Sequence, residues 1–138
     1  DKIINKDMDL KKEAIVLIKL LMVAIGGAAG AAGRYLLSLI PAKTAFPVMT
    51  LATNLLGALL IGLIVGCSET RGVQERWMLF WKTGVCGGFT TFSTFSLEAL
   101  NLFQKGSCVL GAIYILLSVL LCLFGVILGR QSALWIFD

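Results

Sequence analysis

The chain has 138 residues, of which 58% are hydrophobic and 14% are charged, and its mean hydropathy is +0.92. These values exclude a disordered chain and an ordinary soluble domain, and they indicate a polytopic membrane protein. The net charge of +4 is modest. Basic residues at the ends of membrane helices account for it, so we expect a lipid bilayer and no nucleic acid as a partner.

Residues suited to catalysis or metal binding are scarce. There is no histidine, which removes the usual general base and the commonest metal ligand. The four cysteines, Cys67, Cys86, Cys108 and Cys122, form no C-x-x-C pair, and we interpret them as small apolar residues. The sequence therefore predicts that the protein is not an enzyme.

Four apolar runs follow a polar N-terminal segment, residues 1–13. The runs cover about residues 14–40, 46–67, 77–103 and 108–129. Each exceeds the roughly 20 residues that a helix needs to cross the hydrocarbon core of a bilayer. We therefore predict an all-α integral membrane protein with four transmembrane helices in one domain, 14–138.

Basic residues predict the orientation of the chain. Nine lie on the side that holds both termini and the second loop, and three lie on the other side. The nine are Lys2, Lys6, Lys11, Lys12, Lys19, Arg71, Arg76, Lys82 and Arg130, and the three are Arg34, Lys43 and Lys105. Because cytoplasmic loops carry the excess of basic residues, we expect both termini in the cytoplasm.

The most informative stretch is Gly84–Ser96, in the middle of the third run. It contains three glycines, five hydroxyl side chains and three phenylalanines (GVCGGFTTFSTFS), and Glu98 follows two residues later. Unpaired backbone and polar side chains are costly in hydrocarbon, so such a stretch is stable only against protein or a water-filled path. We predict a helix that breaks in the middle of the membrane, at the pair Gly87–Gly88, and lines a polar pathway.

Polar residues in the first two runs each allow two interpretations. Gly26, Gly30 and Arg34 recur every four residues. The glycines indicate close helix packing, whereas Arg34 either extends to the membrane interface or places a fixed positive charge at a vestibule. Thr50 and Asn54 share a face of the second run. Asn54 either joins two helices by hydrogen bonds or faces the pathway.

The third and fourth runs carry ordered stripes. After the predicted break, phenylalanines fall on one side, and Thr91, Thr94 and Glu98 fall on a neighbouring side. The fourth run has one stripe at helical spacing: Ser107, Gly111, Tyr114, Ser118, Cys122, Gly125 and Gly129. Hydroxyl and amide donors and the edges of aromatic rings suit an anion, whereas unwound backbone exposes carbonyl oxygens that can hold Na⁺.

These residues resemble the Fluc (CrcB-type) fluoride channel family over essentially all four runs. The resemblance is carried by G-x-x-G-x-x-G-R at Gly27–Arg34, by T-x-x-x-N-L-L-G at Thr50–Gly57, and above all by TGVCGGFTTFSTFSLE at Thr83–Glu98. It implies a passive, fluoride-selective channel that exports fluoride from the cytoplasm across the bacterial inner membrane. It also implies an antiparallel, dual-topology dimer with two pores.

The resemblance further implies roles for individual residues. A central structural Na⁺ would be held by the backbone carbonyls of Gly87 and Thr90 from each subunit. Fluoride would pass the residues that match the family's pore: Asn54 with Thr50 beside it, Phe92, Phe95, and a polar track of Thr94, Glu98, Tyr114 and Ser118. Arg34 matches the vestibule arginine, and Cys122 departs from the hydroxyl residue that commonly extends the track.

Other interpretations remain open at this point. The strong charge bias allows a heterodimer with an oppositely oriented paralogue, although a homodimer is our first expectation. Glu98, the sole acid well inside a run, allows a small proton-coupled exporter of the multidrug type. A membrane scaffold without transport is the third possibility, and it leaves the many hydroxyl groups at mid-depth without a purpose.

Overall fold

The fold is taken from a computed structural model that describes residues 2–42 and 44–137, with side chains from Lys6 onward. Lys43, which entered the charge count, lies outside the described residues. Within them the chain is helical and contains no strand, so the predicted all-α class is confirmed.

Six α-helices and one π-helical segment make up the described chain. They are α1 (Lys2–Ser38), α2 (Val48–Arg71), α3 (Glu75–Met78), the π-helical segment (Leu79–Cys86), α4 (Gly87–Phe89), α5 (Phe92–Gln104) and α6 (Cys108–Phe137). Among the described residues three helices, α1, α2 and α6, are long and apolar enough to cross a membrane. The protein is therefore a multi-pass membrane protein, and the fourth crossing, through the interrupted third run, stays a prediction.

Two helices are longer than the apolar runs that predicted them. α1 begins at Lys2, so residues 2–13 extend the first helix rather than forming a separate segment. No glycine or proline occurs before Gly26, and nothing in this stretch ends a helix. α6 likewise continues past Gly129 to Phe137.

The ends of α2 follow from a proline and a glycine. Pro47 precedes the first helical residue, where a missing N–H group costs nothing. At the other end Gly72 has φ 67°, a left-handed conformation that favours glycine, and its N–H donates to the Ser68 carbonyl at 3.1 Å.

The break in the third run lies later than predicted. Gly87 is helical, with φ −63° and ψ −37°, whereas Thr90 (ψ 156°) and Thr91 (ψ 111°) are extended. Thr91 then caps α5, because its side-chain oxygen accepts a hydrogen bond from the Thr94 N–H at 3.2 Å. The expected break at Gly87–Gly88 was therefore wrong by two to three residues.

Glycines bring two pairs of helical segments into close contact. α1 packs against the π-helical segment and α4, and a Cβ atom added at Gly26, Gly30, Gly84 or Gly88 would collide with the backbone of the opposite segment. The predicted packing role of Gly26 and Gly30 is confirmed.

The second pair is α2 with α6. Here an added Cβ would meet α6 from Gly62 and Gly66, and would meet α2 from Gly125 and Gly129. The glycine end of the predicted stripe on the fourth run therefore faces α2. α5 packs on α6, and Phe95, Ala99, Leu102 and Tyr114 form a small core between them. This core holds α5 in place directly after the break.

Candidate functional site

Asn54 pairs with the backbone at the break. Its Nδ2 donates to the Thr91 carbonyl oxygen at 3.1 Å, and the Thr91 N–H donates to Asn54 Oδ1 at 2.8 Å. Backbone groups at a helix break lack their usual partners, so the side-chain amide of α2 replaces them. Asn54 was expected either to join two helices by hydrogen bonds or to face the pathway. The first of these is observed, since its bonds join α2 to the residue that caps α5.

Arg34 contacts protein rather than reaching away from it. Its Nε donates to the Gly88 carbonyl oxygen at 3.2 Å, just before the break. The helical stretch from Glu75 ends at Phe89, so its last carbonyls carry partial negative charge there. The half-buried guanidinium therefore stabilises the C-terminal end of the first half of the broken segment.

A cavity of about 270 Å³ lies beside Arg34, and we call it the Arg34 cavity. Besides Arg34 it is lined by Ala31, Tyr35, Ser38, Met49, Thr50, Thr53, Thr91 and Thr94. One full positive charge and several hydroxyl groups thus converge on one volume. Such a set of donors suits a small anion.

A larger cavity of about 470 Å³ lies on the other side of the break, and we call it the Phe92 cavity. Its wall is mainly apolar. The polar residues in it are Asn54, Lys82, Thr90, Thr91 and Ser118. Thr91 lines both cavities, so the extended residues and the Asn54 amide lie between them.

The two candidate pore phenylalanines differ in exposure. Phe92 is 78% exposed and Phe95 is 8% exposed, although both line the Phe92 cavity. Their ring centroids are 5.4 Å apart, and the Phe95 ring lies 5.2 Å from that of Tyr114. A continuous row of aromatic rings therefore runs from the open cavity into the core.

Glu98 joins three helices through its two carboxylate oxygens. Thr50 Oγ1 of α2 donates to Oε1 at 2.8 Å, and the Tyr114 hydroxyl of α6 donates to Oε2 at 2.8 Å. The predicted residues Thr50, Glu98 and Tyr114 are thus brought together, next to the Phe95 ring. Thr94, one turn before Glu98, instead accepts from Thr91 Oγ1 at 2.9 Å and lines the Arg34 cavity.

Ser118 is the exception among these hydroxyl groups. It is 6% exposed, and its Oγ is the one buried side-chain polar atom without a hydrogen-bond partner in the described part of the chain. A buried, unpaired hydroxyl group is costly, and it lines the Phe92 cavity. Cys122, one turn further along α6, lines the same wall.

The backbone at the break fits a small, hard cation. Across residues 2–42 and 44–137, the Gly87 and Thr90 carbonyl oxygens accept no hydrogen bond from a side chain or a turn. Gly87 also borders open space, since an added Cβ would meet nothing within 4 Å. Neutral carbonyl oxygens at an unwound helix are ligands that suit Na⁺. One chain offers two of them, fewer than a full coordination shell.

Several residues of these cavities are absent from the predicted site, and Thr91 and Lys82 are two of them. Thr91 had been placed only on a polar helix face, although it forms the break and pairs with Asn54. Threonine is a favoured N-cap residue, but the N–H that it accepts from is supplied by almost any residue, so the run of threonines and serines after Phe89 did not by itself indicate where α5 begins. Lys82 had been counted only as an orienting charge, yet it lines the Phe92 cavity.

The fold and the site together define a multi-pass helical membrane protein whose interrupted helix separates two cavities. No group of three or more cysteines or acids that could hold a metal ion occurs among the described residues. A family model described as "CrcB-like protein, Camphor Resistance (CrcB)" matches residues 21–130. The chain therefore belongs to the CrcB-like family.

Curated relatives extend this result. A protein of Ruminiclostridium cellulolyticum is 45% identical over 85% of this chain and 93% of its own length. One of Methanocaldococcus jannaschii is 42% identical over 86% of this chain and 97% of its own, and one of Erythrobacter litoralis is 43% identical over 82% and 93%. All three are named "Fluoride-specific ion channel FluC". The predicted family is thus confirmed, and it is a family of channels rather than of enzymes.

Proposed function

We propose that the protein is a fluoride-selective, passive ion channel. The observation that carries the proposal is the break itself, since hydroxyl, amide and guanidinium donors surround it between two cavities. Fluoride is small and strongly hydrated, so a selective path needs donors that replace its lost water. The relatives named for fluoride support the same ion.

Each candidate residue has a part in this proposal. Arg34 and the threonines of its cavity attract and partly dehydrate the anion, and Asn54 offers a remaining amide N–H next to the break. Fluoride then passes the positive ring edges of Phe92 and Phe95. Of the predicted polar track, Thr50, Thr94 and Ser118 line the two cavities, whereas Glu98 and Tyr114 line neither and are joined to Thr50 by hydrogen bonds through the Glu98 carboxylate.

A second, antiparallel copy of the chain completes the channel in our proposal. Phe92 is 78% exposed and the Phe92 cavity is open on one side, which are features of a surface that awaits a partner. The Gly87 and Thr90 carbonyls of two copies would together surround one Na⁺, which supplies a fixed positive charge at the centre when bound. In this proposal two subunits give two pores, and the channel exports fluoride from the cytoplasm across the bacterial inner membrane, as the resemblance to fluoride channels implies.

A small proton-coupled exporter is the second candidate, and Glu98 is the observation behind it. Such an exporter needs an acid that exchanges protons with water. Glu98 lines neither cavity, and both of its oxygens accept hydrogen bonds from hydroxyl groups. These contacts favour a role in holding α2, α5 and α6 together.

The test is fluoride efflux from proteoliposomes recorded with an ion-selective electrode. We expect fluoride release far faster than chloride release, and slower release when Na⁺ is removed. Equal release of both anions would falsify selectivity. The E98Q variant separates the two candidates: retained fluoride flux without a proton gradient rejects the exporter, whereas transport that needs the gradient and vanishes in E98Q supports it.

A further inference from the structure

Lys82 is a charged residue in the wall of the Phe92 cavity, and the site as described so far gives it no role. It lies in the π-helical segment, five residues after the interfacial Trp77, and it is exposed toward the cavity mouth. Cys86, one turn later, lies deeper in the same wall. Eight residues separate Lys82 from Thr90, about 12 Å along a helix axis.

The charge of Lys82 is not neutralised by a neighbouring acid. Two other basic residues in the membrane-spanning helices form ion pairs: Lys19 lies 2.7 Å from Glu75, and Arg130 lies 2.9 Å from Glu69. None of the ion pairs among the described residues involves Lys82. Within one chain, the positive charge of Lys82 therefore has no acidic partner, and it lies beside a cavity whose mainly apolar wall screens it poorly.

We propose that Lys82 is an anion-collecting residue at the mouth of the Phe92 cavity. This inference rests on the proposed fluoride function. The free charge raises the local concentration of fluoride before the ion reaches the Ser118 hydroxyl and the two phenylalanines. Lys82 would then act at one entrance as Arg34 acts at the other, so each face of a subunit would have its own cation.

Salt dependence distinguishes this role from a structural one. Attraction at a distance weakens as the screening length falls from about 30 Å at 10 mM salt to about 3 Å at 1 M. A lysine that only anchors the helix at the membrane interface gives the same effect at every ionic strength. The two roles therefore predict different curves for the same substitution.

The experiment measures initial fluoride efflux at low and high ionic strength, with Na⁺ held constant and a large organic salt added. We expect K82M to lower the low-salt rate by about three- to tenfold, K82E to lower it further, and K82R to retain it. At high ionic strength all four proteins should converge. R76M is the comparison variant, because Arg76 is a nearby basic residue outside the cavity wall, and it should lower the low-salt rate less than K82M does.

Each result of this experiment either supports or overturns the role proposed for Lys82. If K82M equals wild type at low salt, or if its deficit is the same at all salt concentrations, the proposal is overturned. If K82M does not fold, K82Q against K82R replaces the comparison. Absence of fluoride release from the wild-type protein would end the proposed function and this inference with it, whereas wild-type release with an unaffected K82M ends the inference alone.

Discussion

Two polar side chains of this protein, Asn54 and Arg34, are positioned by the backbone of another segment rather than by another side chain. Asn54 bonds both the N–H and the carbonyl of Thr91, and Arg34 bonds the Gly88 carbonyl. The sequence predicted that these residues matter, because each is polar at membrane depth. It could not predict their partners, since these depend on which backbone groups the break releases.

The hydroxyl of Ser118 allows stability to be separated from conduction. Because Ser118 Oγ has no partner, we expect S118A to leave the thermal stability unchanged or to raise it by about 1 kcal/mol. Fluoride efflux should fall by about fivefold, the equivalent of about 1 kcal/mol of lost hydrogen bonding. Thermal unfolding in detergent and electrode-recorded efflux measure the two quantities.

S132A on the same helix is the control for this prediction. Ser132 is exposed and donates to the Leu128 carbonyl of its own helix, so efflux should not change. A loss of stability in S118A together with normal efflux would show that the hydroxyl is structural.

At the scale of the elements, glycine has a different use here from the one that its sequence position suggests. Gly84 and Gly88 of the third run lie in helical segments and allow close packing on α1, Gly87 borders open space, and two threonines form the break. The pattern of glycines followed by hydroxyl groups correctly predicted an interrupted segment. Its exact position could not be predicted, because a glycine serves packing and unwinding equally well.

Close packing of α1 makes Gly30 sensitive to substitution. A Cβ there would collide with the Val85 carbonyl and the Phe89 N–H, so we expect G30A to destabilise the protein by about 1–3 kcal/mol despite alanine's better helix propensity. G27A is the matched control on the same helix, since the nearest atom to its Cβ would be the Gly84 carbonyl oxygen at 4.0 Å. Unfolding temperatures of the two variants test this, and equal values would contradict it.

At the scale of the whole molecule, two glycine-packed pairs, α1 with the π-helical segment and α2 with α6, surround the break. The number, order and approximate limits of the apolar runs followed from hydropathy alone. The continuous α1 and the extended α6 did not, because polar residues at helix ends are compatible with both helix and loop. The open side of the Phe92 cavity could not be predicted from the sequence either, because a hydropathy profile does not distinguish a surface that faces lipid from one that faces a partner.

The predicted dual topology can be tested with a cysteine that the chain already has. Cys108 is exposed at the start of α6, which the predicted four crossings place on the side opposite both termini. With the other three cysteines replaced, a membrane-impermeant maleimide applied to intact cells should label about half of the Cys108 thiols if both orientations occur equally. Total thiol after lysis is the control. Labelling of nearly all or nearly none would contradict the homodimer and favour an oppositely oriented partner chain.

The π-helical segment Leu79–Cys86 determines which way the residues after it face around the helix axis. A π-helical turn contains one residue more than an α-helical turn. Each residue of an α-helix is rotated by about 100° about the helix axis from the residue before it. Deletion of one residue before Lys82 would therefore rotate the Lys82 side chain, or the carbonyl groups after Cys86, toward a different neighbour, although the sequence around these residues would be unchanged. Insertions and deletions before the break should consequently be far less tolerated than substitutions at the same positions.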